Sequence, residues 1–247
     1  MMRGSLLAAS TLVLLLGACA YNESLGRNQF LIVDDAALTE QSDAAWAETL
    51  RTQRVSSDST GNARIRRVGD RIVQAAGMGD RRWDYALFIN ESPNAFVLPS
   101  GKIGVTTGLL AVVQNDDQLA AVLGHEVGHV TARHAAERYS QNAATSAVLS
   151  GVQGAAGDYG RAAGAIGGLG AQLGVLLPFS RQHELEADRI GVDYMQRADF
   201  RPSESVALWR IMAAQRQRAT PQFASTHPSD ASRIAALEQY IASQGWA

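Results

Sequence analysis

Hydrophobic residues recur along this chain at two different spacings, and each spacing predicts its own kind of element. Between residues 36 and 55, Leu38, Trp46 and Leu50 fall on the inner side of a helix. Ser56 to Gly61 is a polar break and a loop by composition. Asn62 is placed to cap a second helix, in which Ile65, Val68, Ile72 and Val73 return at helical spacing until Gly77 and Gly79 end it. The period then shortens. Tyr85 to Ile89 alternates and is rich in strand formers, Asn90 to Pro93 reads as a turn, and Ala95 to Leu98 is a second strand stopped by Pro99 and Gly101. Ile103 to Thr106 is a third. Gly108 to Val113 begins a helix, and Asp116 or Asp117 caps a long apolar one running through His134. Helices from Ser180 to Arg197, Ser203 to Arg216 and Asp230 to Ala242 complete the pattern. The expected class is α+β, mostly helical, with one small β-sheet and no internal repeat.

Two stretches depart from this alternation. Residues 1–18 carry Arg3, an apolar run from Leu6 to Leu16, and Leu16-Gly17-Ala18 directly before Cys19. That is a secretory signal, too short for a mature membrane span. Cys19 is the only cysteine, which excludes an intrachain disulfide. Its position resembles the bacterial lipoprotein signal, in which the cysteine carries the lipid anchor; an ordinary signal peptide or short uncleaved anchor is the competing reading. Ala20, where an Asp would retain the protein, resembles lipoproteins passed on to the outer membrane. Residues 19–35 are then a polar tether and 36–247 the domain. The second stretch, residues 143–177, is dominated by Ala and Gly, with only Asp158 and Arg161 charged. Its few large apolar side chains make a poor membrane span, and a mobile lid or loosely packed helical hairpin fits better.

With 247 residues, 46% of them hydrophobic, the chain can bury a proper core. A net charge of -2 with scattered Lys and Arg supplies no basic face, which argues against nucleic acid as a partner.

The decisive chemistry lies in His125-Glu126-Val127-Gly128-His129, within the long apolar helix. Side chains four apart stack on one helix face, so both imidazoles can reach one ion. Glu126, rotated by about 100° from His125, stands beside that ion, where a general base toward the attacking water belongs. Catalytic zinc takes three protein ligands and keeps one position open. His134, five residues beyond His129, is expected to point away as a partly exposed surface residue. The segment Arg181-Gln182-His183-Glu184-Leu185-Glu186-Ala187-Asp188 offers better candidates. Glu184 and Asp188 are one turn apart: one carboxylate can complete the ligand set, and Asp188 can accept from a liganding imidazole and aim its ring.

His-Glu-x-x-His followed at long spacing by Glu-x-x-x-Asp resembles the HtpX and CaaX-prenyl-protease family of zinc endopeptidases, over about residues 60–242. Asn94-Ala95-Phe96 with Pro99 and Gly101, Gly124, and Thr226-His227-Pro228 with Arg233-Ile234 carry the resemblance further. It implies a zincin-like (gluzincin) domain and one zinc ion per chain on His125, His129 and Glu184. Glu186 is then a bystander, and the lipid-anchored periplasmic branch is the nearest in kind. His183, beside the ligand glutamate, either competes for metal or tunes the site. Asn94, Ala95 and Phe96 belong to an edge strand that takes substrate as an added strand, or to a plain core strand with Phe96 inward. His227 has three readings: a donor to the oxyanion, a fourth zinc ligand, or a local turn histidine. The expected function is cleavage of unfolded or misassembled envelope proteins at the outer membrane. A zinc-stabilised chaperone or binding module without protease activity is the alternative, and another metallohydrolase a third.

Overall fold

The computed structural model describes residues 19–154, 179–216, 223, 226, 227 and 231–246. The chain enters as a hairpin of β1 (Cys19–Asn22) and β2 (Arg27–Phe30), antiparallel, with Cys19 opposite Phe30. A tether was expected over these residues. Their polar side chains instead make specific contacts: the buried amide of Gln29 donates to the Ala132 carbonyl at 2.8 Å and to Glu137 at 2.7 Å. Polar composition alone does not distinguish a solvated segment from one that docks through hydrogen bonds.

Helix α1 (Asp35–Thr52) buries Leu38 and Trp46, but Leu50 is 42% exposed, against expectation. Helix α2 (Ser59–Ala75) is capped by Asp58, which accepts from the Thr60 N–H. The expected cap, Asn62, sits inside the first turn and donates back to the Ser56 and Asp58 carbonyls. Ile65, Val68, Ile72 and Val73 form its buried stripe as the spacing predicts.

Three strands follow: β3 (Asp84–Phe88), β4 (Ala95–Leu98) and β5 (Lys102–Thr106), in the order β3-β5-β4. Strand β5 pairs parallel with β3 and antiparallel with β4, which leaves β4 at the edge. The pleat sorts side chains between two faces. Leu87, Ala95, Ile103 and Val105 enter the main core, while Phe88, Phe96 and Leu98 pack under Trp46 of α1. Phe96 lies over Gly104, where a Cβ would sit 2.3 Å from the ring.

After α3 (Thr107–Val112) comes the axis of the molecule, α4 (Asp116–Thr131). Its cap is Asn115, whose side chain accepts from the Gln118 N–H; Asp116 and Asp117 occupy the first turn, where carboxylates suit the helix dipole. Every residue from Gln118 to His129 is buried, enclosed by α2, β4 and two later helices, α6 (Arg181–Arg197) and α7 (Ser203–Arg216). Each fully buried Leu or Val here contributes roughly 1.5–3 kcal/mol. The helix stops at Thr131, short of the predicted His134. Arg133 turns the chain with φ 56°, and His134 opens α5 (His134–Gly154). Helix α8 (Ala231–Ser243) packs on α6 and α7. Beyond Gly154, the Gly/Ala stretch lies outside the described residues, as do residues 1–18. Among the described residues no helix is long and apolar enough to cross a membrane.

Candidate metal centre

The site forms where α4 and α6 pack almost backbone to backbone. At Gly191 of α6 an added Cβ would stand 2.8 Å from the His125 amide nitrogen, and at Gly124 one would stand 2.9 Å from the Gly191 carbonyl oxygen. These small residues let the helix bearing two histidines approach the helix bearing the carboxylates. Ser180 caps α6 by accepting from the His183 N–H, which sets Glu184 in its first turn.

Four buried donor atoms converge there, from His125, His129, Glu184 and His227, all within 4.8 Å of one another. Nε2 of His125 lies 3.1 Å from Nε2 of His129, 3.2 Å from Nδ1 of His227 and 3.5 Å from Glu184. Glu184 Oε1 is 3.5 Å from Nε2 of His129 and 3.0 Å from Nδ1 of His227. Bonds of about 2.0–2.1 Å to a tetrahedral zinc imply donor separations of roughly 3.3–3.4 Å. The nitrogen and oxygen donors therefore fit that ion in chemistry and in spacing. Asp188 Oδ1 accepts from Nδ1 of His125 at 2.9 Å, which leaves Nε2 as the lone pair facing the ion.

Arg233, from α8, is 2% exposed and lies against both carboxylates, with an Nη2–Asp188 contact of 2.8 Å and an ion pair to Glu184. Burial works to raise the Glu184 carboxyl, but the charges of His227 and Arg233, the largest opposing influences, hold the group well below its ordinary value. Asp188 is lowered in the same way, Arg233 overcoming burial. Glu126 behaves oppositely. Burial pushes it up further than His227, His125 and the backbone of Val97 in β4 pull it down. A buried carboxyl raised in this way is suited to taking a proton. His227 presents Nε2 to Glu126 Oε1 at 3.3 Å.

These residues open onto a cleft of about 640 Å³, one wall of which is Asn94 and the strand β4 that follows it. Phe179 stacks on His129 with centroids 3.9 Å apart, and Phe223 stacks on His227 at 4.5 Å.

Comparison with known proteins gives the same answer. Residues 59–241 match peptidase family M48. The chain belongs to that family. Over 179 residues it is 40% identical to the mitochondrial metalloendopeptidase OMA1 of Schizosaccharomyces pombe, covering 72% of this chain and 52% of that protein. The Saccharomyces cerevisiae OMA1 is also 40% identical, over 159 residues, 61% of this chain and 44% of that protein. The β-barrel assembly-enhancing protease of Escherichia coli is 33% identical over 181 residues, 69% of this chain and 37% of that protein. The chain thus spans about half the length of these relatives or less.

Within this M48 domain the structure brings His125, Glu126, His129, Glu184, Asp188 and His227 together, as the motifs imply. One expectation fails. His134 is fully buried, and its Nδ1 lies 2.9 Å from Nδ1 of His129. The turn at Arg133 swings it back toward the site, which a continuous helix would not. His183, for which two readings were open, turns its Nε2 to Glu137 at 3.2 Å and is not among the four converging donors. Glu186 is no ligand, yet neither is it idle, since it binds Arg27 and His134. Sequence reasoning gave Arg233, Phe179 and Phe223 no role. The buried carboxylates demanded a cation, but nothing local indicated that it would come from the last helix.

Proposed function

We propose that this chain is a zinc-dependent endopeptidase. The observation that carries the reading is the convergence of His125, His129 and Glu184 on one point, with Glu126 beside them in the cleft that β4 walls. Zinc, when bound, supplies Lewis acidity toward the peptide carbonyl and lowers the pKa of water toward about 7. The protein's own groups do the rest. Substrate lies along β4 as an added strand, with main-chain groups near Ala95 and Phe96 providing the hydrogen bonds. Glu126 removes a proton from the attacking water and returns it to the leaving amine, so that the C–N bond breaks with one water consumed.

Casein digestion tests this. The purified full chain cleaves casein, a chelator stops cleavage and added zinc restores it. Glu126→Gln retains its zinc and its melting temperature but not its activity; an active Glu126→Gln protein would overturn the role. His227 supports a second reading, because a fourth donor 3.0 Å from Glu184 could close the site and leave a zinc-stabilised binding module. Glu126, beside the donor set and lining the cleft, favours catalysis over that alternative.

The substrate and the address are proposals as well. Unfolded or misassembled envelope proteins are the substrates proposed, and the printed name of the E. coli relative, a β-barrel assembly-enhancing protease, supports that choice. Cys19 is proposed to carry a lipid anchor that holds the chain at the outer membrane facing the periplasm, on the pattern of Arg3, the apolar run and Leu16-Gly17-Ala18. The relatives named as mitochondrial indicate that the fold also serves elsewhere.

A further inference from the structure

Behind His129, on the side away from the cleft, lies a run of buried and partly buried polar groups that peptide hydrolysis does not use. His129 faces the donor set with Nε2, so a metal held there would leave its ring proton on Nδ1. That Nδ1 meets Nδ1 of His134 at 2.9 Å. His134 accepts there with its lone pair, which puts its own proton on Nε2, 3.0 Å from Oε2 of Glu186. Glu186 is in turn gripped by Arg27 of the N-terminal hairpin through Nε at 2.6 Å and Nη2 at 2.8 Å. Arg27 also reaches Glu137 at 2.7 Å, and Gln29 donates to the same carboxylate. His183 stacks on His134, with centroids 4.4 Å apart and 19° between the planes. Every hydrogen bond in this run has one donor and one acceptor when His134 carries its proton on Nε2, and the first bond is lost when it does not.

We propose that His134 is the positioning residue of the metal ligand His129, and that Arg27, acting through Glu186, fixes the tautomer in which His134 does so. The two histidine ligands are then oriented by different means, His125 by the carboxylate of Asp188 and His129 by a neutral imidazole. The proposal rests on the reading of His125, His129 and Glu184 as zinc ligands. Removing the partner that aims a liganding imidazole typically weakens metal binding roughly 10–100-fold.

The test compares full-length wild type, His134→Leu and His134→Asn. Each is loaded with zinc and challenged with a chromophoric chelator. The Oδ1 of Asn stands close to where imidazole Nδ1 stood and can still accept from His129. Expected is one zinc per chain in wild type, zinc held roughly 10–100-fold more weakly by His134→Leu, and His134→Asn close to wild type. A packing role predicts the reverse order, since Leu fills the buried space and Asn does not. Heteronuclear NMR of the ring nitrogens in zinc-loaded wild type provides a check that needs no variant: His134 should carry its proton on Nε2. His134→Leu holding zinc as tightly as wild type, the two variants losing it equally, or His134 protonated on Nδ1 each overturns the proposal alone. A wild type that binds no zinc overturns the metal reading and takes this proposal with it.

Discussion

Nδ1 of His227 lies 3.0 Å from Oε1 of Glu184, while Nε2 of the same ring lies 3.3 Å from Oε1 of Glu126. One imidazole thus touches both the candidate metal donors and the proposed general base, and its two proposed roles predict opposite results. As a donor to the developing oxyanion, its loss would cost about 10²–10³-fold in kcat. As a fourth ligand that substrate displaces, its loss would open the site and raise basal cleavage. The observed Nδ1 position, inside the donor set, favours the second outcome. The expected result for His227→Ala is therefore a zinc-retaining enzyme with higher basal casein cleavage, read from initial rates and metal content; a fall of the oxyanion size would reverse the assignment.

At the scale of elements, the site depends on how closely α4 and α6 approach. The distance is set by glycines, because Gly191 meets the backbone of His125 and Gly124 that of Gly191. Main-chain atoms cannot rotate out of the way as a flexible side chain can. Gly191→Ala is expected to push the helices apart, destabilise the fold by about 1–3 kcal/mol, and weaken zinc retention through displacement of Glu184. Thermal melts with and without zinc check this, and a variant that melts and holds zinc like wild type contradicts it. The glycines were visible in the sequence, as Gly124 before the first histidine and Gly128 between the two. Their partner Gly191 was not, because a helix-to-helix contact across 67 positions leaves no periodic trace.

For the whole molecule, the proposed anchor and the proposed substrates make one joint prediction. In a strain lacking this chain, envelope proteomics should find misassembled membrane or periplasmic proteins accumulating. Wild type should clear them, while Cys19→Ala, released from the membrane, should not. Full clearance by Cys19→Ala would sink the anchor as a functional requirement, and no accumulation in the deletion strain would sink the substrate class. The anchor would also sit on the first residue of the hairpin whose Arg27 holds Glu186.

Most of the helices, the order of the strand segments and the His-Glu-x-x-His motif are local facts, written in periodicity and in spacings of three or four residues, and they were legible in the sequence. His125, Glu126 and His129 needed only one helix to be legible. The sequence also held Glu184 and Asp188 one turn apart, although family resemblance was required to join them to the histidines. Tertiary structure alone decided the remainder. It made a docked hairpin from a presumed tether, brought His134 inward through a single left-handed turn at Arg133, and set Arg233 against two carboxylates from 45 and 49 positions away. In each case a charge or hydrogen-bonding group is satisfied by a partner remote in the chain. Burial forces such groups to find partners, but the fold determines which ones they find.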